Sequence, residues 1–272
     1  MNTTTHVTTG PISTKRPLAY GLLLCVLLCT TPCVADESDR TLLNDTKLYV
    51  TAPLRWKAPE WMAFTGTVLA IGAAHEFDST VRHGFEPSGG HPLDGQDANS
   101  TRDALPAAAL LAGTWAFGSL SHDKAGRHEA WNMAEAAGFS AVDTLLLKYI
   151  SGRRRPNETT NPDEWFQGGD SFPSMHASAA FAIGTVFAES GGEEHRWIRR
   201  TLGYGIAGAT AYARLKGNVH WFSDVVAGAA IGISTAHFVM NRDGETERHS
   251  GFSVVPVEGG VMLTYWRVPT PK

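Results

Sequence analysis

The sequence predicts an all-α protein, a bundle of about six core helices followed by a short C-terminal β-hairpin. Three observations carry that expectation. Apolar residues recur at helical spacing, as in Met133, Ala137, Phe139, Val142 and Leu146. Polar stretches rich in Gly, Pro, Asp and Ser punctuate the chain and leave helix-length segments between them. Only the tail, after the last helical segment, reads as paired strands.

Residues 36–57 are mixed and polar and read as a lead-in packed on the surface. Pro59-Glu60 begins the first helix, which Trp61 to His75 continues. Gly84 to Ser100 is a loop by composition. Ala104 to Ser121, free of charge, is the second helix and Glu129 to Ile150 the third, with Gly152 placed to end it as a C-terminal cap. A polar loop runs from Asn157 to Asp170. The fourth helix is expected from about Pro173 to Ala188, the fifth from Trp197 to Tyr212 and the sixth from Val219 to Met240. In the tail, Phe252-Ser-Val-Val-Pro-Val and Val261-Met-Leu-Thr-Tyr-Trp-Arg-Val flank Glu258-Gly259-Gly260 as a hairpin. One hairpin is marginal alone, so it must pack on the helices or on a partner. The expected domains are a signal peptide over 1–35, a helical domain over 36–242 and a tail over 243–272.

The N-terminus reads as an export signal. Lys15 and Arg16 give a positive start, Leu18 to Leu28 is almost wholly apolar, and Cys33-Val34-Ala35 resembles a small-residue cleavage site ahead of Asp36. All three cysteines, Cys25, Cys29 and Cys33, lie in this segment. The mature chain is thus expected to have no disulfide and no thiolate metal site. Cleavage removes two basic residues and no acidic one, moving the net charge from −4 to −6. That balance argues against nucleic acid as a partner. The 272 residues, 43% hydrophobic, suffice for one sizeable core. A spanning helix needs about 20 largely apolar residues. Ala104–Ser121 approaches that length but contains Pro106, and the fourth and sixth helices carry His176, His220 and Asp224. The expectation is an exported globular or peripheral bundle, in the periplasm or against a membrane with its site facing the periplasm.

Three clusters carry chemistry. In Lys148-Tyr-Ile-Ser-Gly-Arg-Arg-Arg155-Pro156, Lys148 offers a point charge and Arg155 a planar fork, the two ways side chains grip phosphate. Taken alone, Arg153-Arg154-Arg155 reads as a solvated basic turn. In Gly168-Gly-Asp-Ser-Phe-Pro173-Ser174-Met175-His176, Ser171 is a good N-cap and Pro173 suits a first helical turn. The free N–H groups of such a helix start attract anions. In Arg214-Leu-Lys-Gly-Asn-Val-His220-Trp-Phe-Ser-Asp224, His220 and Asp224 are four apart, which on a helix is one face. A carboxylate so placed can orient one imidazole nitrogen and leave the other free to react.

Together the pattern Lys-x6-Arg-Pro, then Pro-Ser-x-His, then Arg-x5-His-x3-Asp closely resembles the type 2 phosphatidic acid phosphatase and vanadium haloperoxidase superfamily. The resemblance covers about the middle third of the chain and implies a helical bundle. It implies that Lys148, Arg155 and Arg214 grip phosphate, with Ser174 and the backbone N–H of Met175. It implies His220 as the nucleophile that becomes phosphohistidine, Asp224 as its supporting carboxylate, and His176 as the acid that protonates the leaving oxygen. Two positions depart from the family pattern. Met175 stands where Gly is usual, which alters pocket shape, and Ala213 stands where Ser is usual, which removes one hydrogen bond.

The reaction so implied is hydrolysis of a phosphate ester with no metal and no cofactor, because the cations stabilise the equatorial charge. A mildly acidic optimum follows, since His176 must start protonated and His220 neutral. Trp165 and Phe166 are placed to line an apolar entrance, whereas Trp221 and Phe222 read as core. An aromatic mouth and export point to a lipid phosphate: phosphatidate, phosphatidylglycerol phosphate or undecaprenyl diphosphate. A soluble acid phosphatase on small monoesters is the nearest alternative. A phosphotransferase, a vanadium haloperoxidase and a non-catalytic membrane protein are the others.

Overall fold

A computed structural model describes residues 42–85, 100–241, 250–257 and 260–267. The expected signal peptide, the greater part of the Gly84–Ser100 loop and the turn of the tail lie outside the described residues. Contacts divide the chain into two units, 1–53 and 54–272. In the first, helix α1 spans Leu42–Thr51.

The second unit is helical. Its elements are α2 (Ala58–His75), α3 (Asp78–Gly84), α4 (Ser100–Leu120), α5 (Lys124–Ser151), α6 (Met175–Glu189), α7 (Arg196–Lys216) and α8 (Phe222–Asn241). Residues Ser250–Val257 (β1) and Gly260–Arg267 (β2) pair antiparallel, with Ser250 opposite Arg267.

Local chemistry explains the helix ends. The Glu60 carboxylate accepts from Lys57 N at 3.0 Å, closing the start of α2 around Pro59. The α5 helix begins five residues before the expected Glu129, because Asp123 caps it by accepting from Ala125 N at 3.0 Å. At its other end Gly152 takes the left-handed conformation, φ 52°, and donates its N–H to Lys148 O at 3.0 Å. The expected sixth helix starts three residues late, at Phe222 rather than Val219. Asn218, with φ 51°, turns the chain after α7, and Val219-His220-Trp221 form a connection between the two helices.

Helix α6 is the centre of the bundle and packs on α5, α7 and α8. Its buried face is built from small residues, Ala177, Ala180, Ala182 and Ala188, which let neighbouring backbones come close. A Cβ at Gly228 would lie 2.5 Å from Ser174 O, and one at Gly232 would lie 2.2 Å from Ser178 O. Helix α8 therefore touches the N-terminal half of α6 backbone to backbone. Gly184 and Gly203 do the same between α6 and α7, each with an added Cβ within 2.5 Å of the other's carbonyl oxygen. This approach brings the start of α8, with Asp224, against the start of α6, with Ser174: Ser174 N donates to Asp224 O at 2.9 Å.

Candidate active site

The connection between α7 and α8 carries His220, 4% exposed, and Trp221, 1% exposed. The Trp221 indole donates to Arg154 O at 2.8 Å and pins the connection to the loop after α5. Asp224 sits in the first turn of α8, where its charge suits the positive end of the helix dipole. Its Oδ2 accepts from Trp221 N at 2.8 Å and from the Ser171 hydroxyl. The expected pairing on one helix face is corrected: His220 precedes the helix, and the turn, not helical periodicity, brings Nδ1 within 3.5 Å of Asp224 Oδ2. Nδ1 makes no hydrogen bond among the described residues.

Three cations converge on this imidazole. Lys148, in the last turn of α5, is 8% exposed and donates to the backbone oxygen of Asp170. Arg155 follows the Gly152 cap and grips Asp170 in a fork, Nε to Oδ1 at 2.7 Å and NH2 to Oδ2 at 3.0 Å. Its NH1 reaches Val219 O at 3.0 Å, beside His220. Arg214, in the last turn of α7 and 3% exposed, pairs with Asp103 of α4 at 2.6 Å. Its buried Nε has no hydrogen-bond partner among the described residues.

Electrostatics follow from this crowding. Burial, then the charges of Arg155, Lys148, Arg214 and His176, hold His220 well below the usual imidazole pKa, so it is neutral across the physiological range. Burial and the neighbouring Arg155 lower Lys148 to about 8. For Asp170, burial pushes upward but is outweighed by the Arg155 hydrogen bond and charge and by Lys148, leaving the carboxyl well below its ordinary range.

The second cluster is built differently from its sequence reading. The Phe172–Pro173 peptide is cis, and α6 starts at Met175. Ser174, not Ser171, is therefore the N-cap, its oxygen accepting from Ala177 N at 3.5 Å. Ser171 instead gives its hydroxyl to Asp224. Met175 and His176 occupy the first turn of α6, both half-buried.

Sequence reasoning missed Arg153. Read as part of a solvated turn, it is 0% exposed and lies between two buried carboxylates, 2.7 Å from Asp224 Oδ1 and 2.6 Å from Asp78 Oδ2. Neighbouring Arg154 is the exposed one. A run of three arginines carries no signal for which one turns inward, and Asp78 lies 75 residues upstream. Trp165 is half-buried beside Arg153. It stacks on the Arg153 guanidinium at 4.3 Å and meets Phe172 edge-on, whereas Phe166, φ 58°, is 78% exposed. Trp221 is core, as expected. Among the described residues no cluster of three His, Cys, Asp or Glu side chains is arranged to hold a metal ion.

Over 113 residues the chain is 34% identical to the lipid A 1-phosphatase of Porphyromonas gingivalis; the match covers 40% of this chain and 23% of that protein. The chain thus spans about a quarter of the length of this curated relative. Two crystal structures are similar: LpxE of Aquifex aeolicus, and a transmembrane PAP2-type phosphatidylglycerolphosphate phosphatase from Bacillus subtilis. The first is 22% identical, covers 61% of this chain and 93% of its own, and has a TM-score of 0.41. The second is 18% identical, covers 75% and 98%, and has a TM-score of 0.39. Residues 129–246, which hold Lys148, Arg155, Ser174, His176, Arg214, His220 and Asp224, match the family model of the PAP2 superfamily.

Proposed function

We propose that the chain is a phosphatase that hydrolyses phosphate esters of lipids through a phosphohistidine on His220. The observation that carries this reading is a buried, neutral imidazole among three cations, Lys148, Arg155 and Arg214, with Asp224 behind its Nδ1. A neutral imidazole is a nucleophile, and buried cations supply the stabilisation that the equatorial oxygens of a transferring phosphoryl group require. The orphaned Nε–H of Arg214 is a donor that a phosphate oxygen would satisfy.

In the first step His220 Nε2 attacks phosphorus, the bond from phosphorus to the lipid oxygen breaks, and protonated His176 gives its proton to the leaving alkoxide. In the second step water attacks the phosphohistidine while His176 takes a proton from it. The P–N bond breaks and inorganic phosphate leaves. Phosphate entry requires Arg155 to exchange the Asp170 carboxylate for phosphate oxygens.

A lipid is favoured over a small soluble ester by the outer faces of the bundle. Trp61, Phe64 and Leu69 on α2, Trp115 and Phe117 on α4, and Val142, Leu146, Tyr149 and Ile150 on α5 are all exposed. Apolar side chains in such number mark a surface for membrane or partner. Among the described residues α8 alone is long and apolar enough to cross a membrane, and half of it is buried in the bundle. The name of the Porphyromonas gingivalis relative adds lipid A 1-phosphate to the candidates phosphatidate, phosphatidylglycerol phosphate and undecaprenyl diphosphate.

The test is phosphate release by the purified protein from these lipids and from a small soluble monoester. Lipid turnover is expected to exceed that of the soluble ester. His220→Ala is expected to lower it by about a thousandfold or more, as removal of a nucleophile does. Exclusive turnover of the soluble ester would overturn the lipid assignment.

A further inference from the structure

The strongest unassigned feature is the buried chain of charges behind Asp224. Arg153 is its hub: NH1 donates to Asp224 Oδ1 at 2.7 Å and to Ser223 Oγ at 2.8 Å, NH2 to Asp78 Oδ2 at 2.6 Å, and Nε to Pro162 O at 3.0 Å. Asp78, at the start of α3, is 0% exposed and has a second hold on α8, accepting from Ser223 N at 2.8 Å and from the Ser223 hydroxyl at 2.7 Å. His75 extends the chain outward, its Nδ1 2.9 Å from Asp78 and its Nε2 2.8 Å from Asp163. Asp78 and His75 lie outside the segment that matches the family.

From this geometry we infer that Asp78 is a positioning residue for His220, acting through Arg153 and Asp224. The inference rests on the proposed role of His220 and deepens it. One guanidinium here is shared by two carboxylates. Arg153 fixes Asp224 Oδ1, which leaves Oδ2 to turn toward Ser171, Trp221 N and the Nδ1 edge of His220. Asp78 balances the other half of the Arg153 charge. Without it the whole guanidinium charge falls on Asp224, which weakens the negative field that Oδ2, 3.5 Å from Nδ1, sets at the imidazole. The charges facing His220 from the packed elements are Lys148 of α5, Arg155 and Asp170 of the following loop, His176 of α6, Arg214 of α7 and Asp224 of α8, with Asp78 and Arg82 of α3 on the small cavity that His220 also lines. Asp78 hydrogen-bonds Arg153 and Ser223 and not His220, so its effect is expected in kcat and in the state of the imidazole rather than in phosphate affinity.

The experiment uses the full chain and two readouts. One is the kcat and KM of Asp78→Asn and Ser223→Ala on the lipid phosphate that the wild type turns over. The other is the imidazole NMR signals of His220, assigned by their loss in His220→Gln, followed against pH. Asp78→Asn is expected to lower kcat by about tenfold or more with KM changed by less than about threefold, the pattern of a group acting on the chemical step. Its His220 signals move, and the ring titrates at lower pH because one buried negative charge is gone. Asp78→Glu restores part of kcat. Removing one partner of a buried pair can unfold a chain. Ser223→Ala keeps both carboxylates and the guanidinium, deletes the hydroxyl that links them, and is expected to shift kcat and the His220 signals in the same direction by less. Unmoved His220 signals in the variants that fold overturn the inference. A wild type that hydrolyses no phosphate ester would remove the proposed function instead, and the His220 signals would still decide the positioning role.

Discussion

In the proposed phosphate site Asp170 and Lys148 bear on substrate grip in different ways. Asp170 holds Arg155 in a fork, which phosphate displaces in the proposed reaction, so Asp170→Asn is expected to lower KM by about fivefold, the value of about 1 kcal/mol for one partly exposed ion pair. Steady-state kinetics on a fixed substrate checks it, and an unchanged or raised KM would mean that Asp170 helps substrate rather than competes with it. Lys148, lowered to about 8 by burial and Arg155, is charged below that pH and neutral above it. Since the proposed grip on phosphate needs the charged form, kcat/KM is expected to fall on the alkaline side with a midpoint near 8. Lys148→Arg, whose guanidinium stays charged, should remove that limb. Arg153→Ala leaves Asp78 and Asp224 buried without their shared cation and is expected to cost about 3–5 kcal/mol in denaturant unfolding. These residues differ in how legible they were. Lys148, Arg155, His220 and Asp224 stand at positions of the motif pattern that carries the family resemblance. Arg153, Asp78, Asp103 and Asp170 do not, because a buried charge is recognisable only once its partner is beside it, and the partners of Arg153 and Arg214 lie 75 and 111 residues away.

The helices were legible in type and order, and their ends less so. Gly152 capped α5 where the sequence placed it, because a left-handed cap is a local property of glycine. The starts of α6 and α8 were not local. Ser174 rather than Ser171 caps α6, and His220 stands outside α8, because close contact between those two helices fixes both starts. That contact predicts a pair of opposite substitutions. Gly232→Ala would set a Cβ 2.2 Å from Ser178 O, and is expected to destabilise the fold by about 1–3 kcal/mol by forcing the helices apart. Gly72→Ala in α2 meets nothing within 4 Å and is expected to stabilise by about 0.5–1 kcal/mol. Thermal melts of the two variants check both signs. Tm changes in the same direction would contradict the packing described here.

At the scale of the whole molecule, a buried polar site and an apolar exterior occupy one bundle. The charged groups of the site are gathered around the N-terminal ends of α6 and α8 and the C-terminal ends of α5 and α7, while Trp, Phe and Leu side chains of α2, α4 and α5 stand exposed. The sequence displayed these apolar residues without saying which faces the bundle would leave uncovered. If that surface meets lipid, the protein is expected to float with vesicles of mixed phospholipid in a density gradient and to stay there in high salt, because burial of apolar area is not screened as charge is. The central claim remains chemical, that phosphorus is transferred to His220. Turnover stopped in alkaline denaturant, followed by mass spectrometry of the peptides, is predicted to find a phosphoryl group on the peptide carrying His220 in the wild type and none in His220→Gln, whose turnover is lost. A phosphoryl group on another residue, or turnover by His220→Gln at the wild-type rate, would contradict it.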